Sequence, residues 1–199
     1  MKRKELKILG LSHSQSQLGS YVIVLSDIRG SRKLPLIIKP AEAQRIAMEL
    51  EAIKLPRPMI HDLFKTMGDS YGIDVQEIFI YSLLEGIFYT KIVTSNGLGE
   101  VEIECTAGDA IALAVLYKCP IYTTVDILKM AGVVVNDDGT PSNDEEDFTE
   151  DFTEEDYKTP SRVVSIEDLE QMMQEAISNE EYEIAAEIRD RIEELKKSN

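Results

Sequence analysis

The chain of 199 residues has no tryptophan, two histidines and two cysteines. Cys105 and Cys119 show no CxxC spacing, and with two histidines the chain has no N or S donor beyond the four that a structural zinc site takes, so none is expected. A disulfide between them stays open, although both lie in apolar runs where a buried free thiol is the commoner state. No apolar run approaches the ~20 residues that span a bilayer. The basic start MKRKELKILGLSHSQSQ lacks the apolar stretch of about 7–15 residues found in a signal peptide. A soluble, cytoplasmic protein with no membrane partner is therefore expected. No GxGxxG, P-loop, HExxH or GxSxG motif occurs, which removes support for nucleotide-binding and hydrolase classes of those types.

Basic residues are also scarce, 21 Lys and Arg against 37 Asp and Glu, for a formal charge of -16. Affinity for nucleic acid rests on cations that displace counterions, so this total argues against a general phosphate binder. The charge is unevenly spread. Residues 1–135 are neutral, residues 136–158 carry -10, and residues 159–199 carry -6. The body must be judged as a neutral protein, and it lacks a basic patch interleaved with aromatics.

With 43% hydrophobic residues the chain can build a core. Residues 1–135 contain an internal repetition. Glu42-Ala43-x-x-Ile46-Ala47 recurs as Asp109-Ala110-x-x-Leu113-Ala114, Lys54-x-Pro56 as Lys118-x-Pro120, and Asp62-Leu63-x-Lys65-x-x-Gly68 as Asp126-Ile127-x-Lys129-x-x-Gly132. Strands are expected near 4–12, 20–27 and 33–39, then a helix with Ala43, Ile46, Ala47, Leu50 and Ile53 on its buried stripe. Pro56 and Pro58 end that helix, and a second spans about 59–70. The other half has expected strands near 73–82, 86–94 and 99–105, with turns at Glu85-Gly86 and Asn96-Gly97. An apolar helix from Ala110 to Tyr117 and a last helix at about 123–131 follow. The expected fold class is α+β: two β-β-β-α-α repeats, about 2–72 and 73–132, forming a barrel-like mixed sheet with flanking helices.

Residues 136–162 are acidic and polar, repeat DFTE and lack an apolar face, so a disordered, self-repelling linker is expected, holding the tail away from the body. Residues 163–199 read as a helical hairpin. Ser165-x-x-Asp168 and Ser178-x-x-Glu181 have capping-box spacing at its two helix starts. So small a hairpin cannot bury both its apolar stripes alone, and it needs the body, a second copy or another protein.

Two resemblances enter here. Leu34-Pro35-Leu36-Ile37-Ile38, then Arg57-Pro58-x-x-His61-Asp62-Leu63, Gly86-x-Phe88-Tyr89, Asp109–Ala114 and Pro120-Ile121-Tyr122 resemble, in order, the bifunctional nuclease family. Residues 169–195 resemble the UVR motif of UvrB/UvrC-type repair proteins and some protease adaptors. The first resemblance implies a duplicated barrel-like fold and cleavage of DNA and RNA. The second implies protein–protein contact through a helical hairpin. Where the family has an Asp-Ala-Arg-Pro-Ser-Asp-Ala run, this chain has Glu104-Cys105-Thr106-Ala107-Gly108-Asp109-Ala110. The basic residue and the hydroxyl are replaced, and the first carboxylate is one methylene longer. The family's glycine after the LPI-type strand is Lys39.

A metal-dependent nuclease needs carboxylates converging on a divalent ion, Mg²⁺ or Mn²⁺ here by resemblance. The family-matching carboxylates are Glu42, Asp62, Glu104 and Asp109. Each has a structural alternative: Glu42 and Asp109 sit in helix first turns, and Glu104 belongs to the polar side of a strand. His61 and Asp62 point about 100° apart on a helix and cannot pair with each other. A histidine titrates near neutrality, so His61 is the candidate for proton transfer. Arg57, between two prolines, is the candidate for holding phosphate, or else for pairing with Asp62 or Glu104. The first expectation is thus a DNA and RNA nuclease in which Asp62, Glu104 and Asp109 position metal or water. The alternative is a non-catalytic homo-oligomeric adaptor, recruiting a repair or proteolysis partner through residues 163–197.

Overall fold

A computed structural model describes residues 2–14, 17, 19–134 and 163–198. Three strands open the chain, β1 (Arg3–His13), β2 (Tyr21–Asp27) and β3 (Arg32–Ile38), followed by helices α1 (Pro40–Leu50) and α2 (Ile60–Ser70). Strands β4 (Asp74–Leu84), β5 (Ile87–Ser95) and β6 (Glu100–Cys105) come next, then α3 (Ala107–Tyr117), β7 (Ile121–Thr124), α4 (Val125–Met130) and β8 (Val133–Val134). Two further helices, α5 (Ile166–Ser178) and α6 (Tyr182–Ser198), complete the described chain. The α+β class is as expected, and β7 and β8 are additions to the sequence reading. No helix among the described residues is long and apolar enough to cross a membrane.

The eight strands form one sheet in the order β6-β5-β4-β7-β1-β2-β3-β8. Neighbours are antiparallel except β4 and β7, which run parallel through Ile78–Ile80 and Ile121–Thr123. The sheet ends at β6 and β8, so among the described residues no strand pairing closes it into a barrel. Local chemistry sets the hairpins. Glu85 and Gly86 both take positive φ, 51° and 77°, the two-residue turn whose twist matches the flanking strands. At the next turn Gly97 has φ 81°, and the Asn96 side-chain oxygen accepts from the N–H groups of Leu98 and Gly99.

α1 and α3 pack side by side against the sheet. The stripe read from the sequence is buried there, with Ala43, Ile46 and Ala47 against Ala110, Ile111 and Leu113 in one core. β2 is buried along almost all of its length, and the C-terminal hairpin joins the core that holds Tyr21, Ile23 and Leu25. Leu169, Met172, Ile188, Ile192 and Leu195 belong to that core together with Leu11 and Tyr21.

This corrects the expectation of a hairpin held away from the body. The Leu11 N–H donates to the Val163 carbonyl at 2.7 Å, and the His13 N–H donates to Asp168 at 2.9 Å. The Tyr21 hydroxyl donates to Glu175 at 2.9 Å, and Arg191 pairs with Glu51 at 3.2 Å. Burial raises the pKa of Tyr21, and the neighbouring Glu175 raises it further, so its proton stays in this bond. Apolar burial and local polar pairing dock the hairpin, and a body without net charge does not repel its acidic surplus. The second expected capping box is also corrected: Ser178 ends α5, its hydroxyl donating back to Gln174, and Ala185 N–H bonds the Glu181 carbonyl as α6 begins. Ser165 caps α5 as expected, accepting from the Asp168 N–H at 3.0 Å. The expected linker lies outside the described residues.

Because Leu169 is fully buried in the shared core, Leu169→Ala should cost about 2–4 kcal/mol in urea unfolding followed by far-UV circular dichroism. The body and hairpin should shift together as one transition. A separate early transition carrying the whole loss would show that they do not stabilise each other.

Candidate active site

A cavity of about 700 Å³ lies where the ends of β3, β5 and β6 meet the starts of α1 and α3. Its wall includes Leu36, Phe88 and Tyr89 with the polar Lys39, Glu42, Tyr81, Glu104 and Thr106. Both helix starts reach it, through Lys39 on one side and Thr106–Gly108 on the other. The first N–H groups of a helix have no partner within it, so two such starts favour negative charge between them. Glu42 supplies part of that charge. Its buried carboxylate accepts from the Lys39 N–H at 3.0 Å and lies against Gly108, where a Cβ would collide with it. The glycine at 108 is what leaves room for Glu42.

Glu104 is on the same wall, and accepts the Tyr81 hydroxyl at 2.7 Å. That bond is the main reason the Tyr81 pKa is raised, since losing the proton would set two anions together. Cys105 also borders the cavity. Burial, and then the charge of Asp109, push its thiol up to about 12. It stays protonated at neutral pH and is unsuited to nucleophilic chemistry. Both cysteines are free, which resolves the open question of a disulfide.

Of the expected site residues, His61 and Asp109 are brought together from α2 and α3. His61 Nε2 lies 3.0 Å from Asp109 Oδ1, and the Thr106 hydroxyl donates to Asp109 Oδ2 at 2.7 Å. The Asp109 N–H returns to the Thr106 oxygen, so Thr106 caps α3 as its spacing implied. His61 is buried and its Nδ1 has no hydrogen-bond partner, while Asp109 is partly exposed. This is a carboxylate–imidazole pair open to solvent on the carboxylate side.

The other expected residues are elsewhere. Asp62 caps α2 through the Met59 N–H at 2.9 Å and pairs at 3.0 Å with Arg45, a buried guanidinium that also holds Glu49. Asp62 thus anchors the first turn of the helix that carries His61. Arg57 is exposed and pairs with Glu183 of α6 at 3.3 Å, with neither Asp62 nor Glu104. Neither His61, Asp109, Asp62 nor Arg57 is on the cavity wall. Among the described residues no three His, Cys, Asp or Glu side chains gather as ligands for one ion. Sequence reasoning counted Glu42 among the matching carboxylates but gave it no role, and it left Lys39 and Tyr81 out of the site; Tyr81 carries no local signal.

Residues 23–136 match the family model of the bifunctional nuclease domain, and residues 164–198 match that of the UvrB/uvrC motif. A Mycobacterium tuberculosis protein is 30% identical over 134 residues, covering 67% of this chain and 79% of its own length. Bifunctional nuclease 2 of Arabidopsis thaliana is 26% identical over 168 residues, covering 80% of this chain and 50% of its own. Bifunctional nuclease 1 of the same plant is 25% identical, with 51% of its length covered.

Near a helix end, Gly→Ala ordinarily stabilises, by up to about 1 kcal/mol. Gly108→Ala should instead destabilise by about 1–3 kcal/mol, and adding Glu42→Ala should recover part of the loss. Chemical denaturation of the single and double variants reads both effects.

Proposed function

Since the chain belongs to the bifunctional nuclease domain family, we propose that it hydrolyses phosphodiesters of DNA or RNA at the cavity between the starts of α1 and α3. The observation that carries this reading is that Glu42 and Glu104 line one cavity with those two helix starts. The Ala107 and Gly108 N–H groups at the start of α3 would receive the phosphate oxygens. Two carboxylates would repel an anionic substrate unless a cation is interposed. A divalent ion, Mg²⁺ or Mn²⁺, would offset that charge and activate water, and Mg²⁺ is often held by one or two carboxylates together with substrate phosphate. Glu42 and Glu104 are the residues that would hold it.

Tyr81 fixes the Glu104 carboxylate by donating to it. His61 and Asp109 stand off the cavity wall, so they would exchange the proton with the reaction through solvent at the exposed Asp109 carboxylate. With Nε2–H donated to Asp109, the imidazole orients the carboxylate, and Thr106 restrains its second oxygen. Asp62 positions His61 by anchoring α2. Arg57 holds backbone phosphate outside the cavity once Glu183 releases it. The hairpin serves as a protein-interaction module, in keeping with its UvrB/uvrC match. A non-catalytic adaptor is the second reading, favoured by the missing basic residue in the Glu104–Asp109 run.

Incubating labelled single-stranded DNA and RNA with Mg²⁺, Mn²⁺ or chelator tests the reading. Cleavage should vanish with chelator and fall at least about 100-fold in Glu104→Gln and in Asp109→Asn, each checked for folding. Cleavage equal in wild type and variants, or absent from all, would sink the nuclease reading and leave the adaptor.

A further inference from the structure

No stretch of the sequence interleaves cations with aromatics, yet the sheet assembles such a row from four strands. Across the register Phe79 of β4 stands beside Tyr122 of β7 and Lys91 of β5, so all three share one sheet face. Arg3 of β1 lies two residues before Glu5, the register partner of Tyr122, and joins them. The opposite face belongs to the core, through Ile78, Ile80 and Ile92. The row is continuous. The Arg3 guanidinium sits over the Tyr122 ring at 4.8 Å and over the Phe79 ring at 4.2 Å. Lys91 Nζ lies 5.5 Å from the centre of the Phe79 ring and 5.6 Å from that of Tyr81, whose own centre is 6.4 Å from that of Tyr89. Phe79, Lys91 and Tyr81 form a half-buried floor, whereas the Arg3 side chain and Tyr89 are each 40% exposed. At the Tyr122 end the row opens on a cavity of about 380 Å³ lined by Lys2, Arg3, Lys4 and Arg29. Of the two carboxylates also there, Glu5 and Asp27, the second holds Lys4 at 2.7 Å, and Lys2 and Arg29 are exposed. At the other end Tyr81 and Tyr89 line the candidate active site.

We propose that this row is a stacking platform for a single-stranded nucleic acid. Lys2 and Arg29 hold its phosphates at one end, and its bases stack on Arg3 and Tyr89 on the way to the cavity where, on the nuclease reading that this deepens and rests on, the strand is cut. A base has two flat faces, and an aromatic ring or a planar guanidinium can take either. In a duplex those faces are covered by neighbouring bases, so only an unpaired strand can use the row. Charge alone would not select it. Arg3 is paired with Glu77, and Lys91 with Glu102 at 2.6 Å, so the row has little spare positive charge for a ligand held only as a polyanion. The same pairing fixes the Arg3 plane over its two rings before a base arrives. A single strand matches both parts of the surface, flat faces along the row and phosphate at its cationic end.

Fluorescence anisotropy of a labelled strand of about 12 nucleotides, with the full-length protein and with chelator so that nothing is cleaved, tests this. The single strand should bind at least about 10-fold more tightly than the same sequence as a duplex. Tyr89→Ala and Arg3→Lys, the second keeping the charge but losing the plane, should each weaken binding at least about 5-fold with unchanged circular dichroism. Tyr71→Ala, at an exposed aromatic on α2 away from the row, should leave binding unchanged. With few phosphates held, log K should fall against log salt with a shallow slope, about -1 to -2. Equal affinity for the duplex, indifference to both row variants, or no binding by wild type, which would leave the face to a protein, would overturn the proposal. Binding that depends on the row, with no cleavage once Mg²⁺ or Mn²⁺ is restored, would support the platform and sink the nuclease reading instead.

Discussion

Everything in the body depends on the four residues of β7 lying between β4 and β1. On one side β7 pairs parallel with Ile78–Ile80, and on the other antiparallel with Arg3–Leu6. Two antiparallel meanders, β1–β3 and β4–β6, would otherwise be separate sheets related only through the helices packed on them. Ile121 and Thr123 are buried at this junction, and the Thr123 hydroxyl donates to the Ile80 carbonyl at 3.1 Å. By joining the meanders, β7 fixes where β3 stands relative to β5 and β6. That placement makes the cavity, because its walls come from both halves.

The charge pattern around the site follows from the same junction. α1 and α3 begin side by side, and each start would leave unpaired N–H groups. Each has an acidic residue in its first turn, Glu42 and Asp109, but the two carboxylates face different neighbours. Glu42 turns into the space left by Gly108, and Asp109 turns to His61. Equivalent positions in a repeating sequence thus take up different work: one carboxylate is buried on the cavity wall and the other is partly exposed beside an imidazole. The buried Arg45 with Asp62 and Glu49 is the counterweight that holds α2 in place, since removing the two carboxylates would strand the guanidinium charge in the interior.

Much of this was legible in the sequence, and the failures have physical causes. The stripe from Ala43 to Leu50 and the alternation of Leu34, Leu36 and Ile38 announce α1 and β3, because those periods reflect a face that must be buried. But α1 ends at Leu50, where Ala52 takes φ 54° and leaves Ile53 outside the helix, well before the prolines expected to stop it. β7 escaped because four residues are too few to display a period. The alternation of β6 was readable, but alternation cannot tell whether the apolar side is covered, and here Val101 and Ile103 are not. His61 and Asp109 were each singled out, while their pairing depends on how α2 and α3 pack and has no local signature. For the hairpin, the need of its stripes for a partner could be read directly. Which partner could not, since burial energy is indifferent to whose surface supplies it.

Docking of the hairpin is intramolecular, so dilution does not loosen it. Any other molecule seeking the stripe of Leu169, Met172 and Ile188 competes with a rival joined to the same chain, whose effective concentration does not fall on dilution. The outsider's apparent affinity is reduced by the fraction of time the hairpin spends undocked. Weak and promiscuous contacts are thereby filtered out. Only a partner able to offset the loss of the Tyr21–Glu175 and Arg191–Glu51 bonds, and of the buried stripe itself, would draw the hairpin off the body.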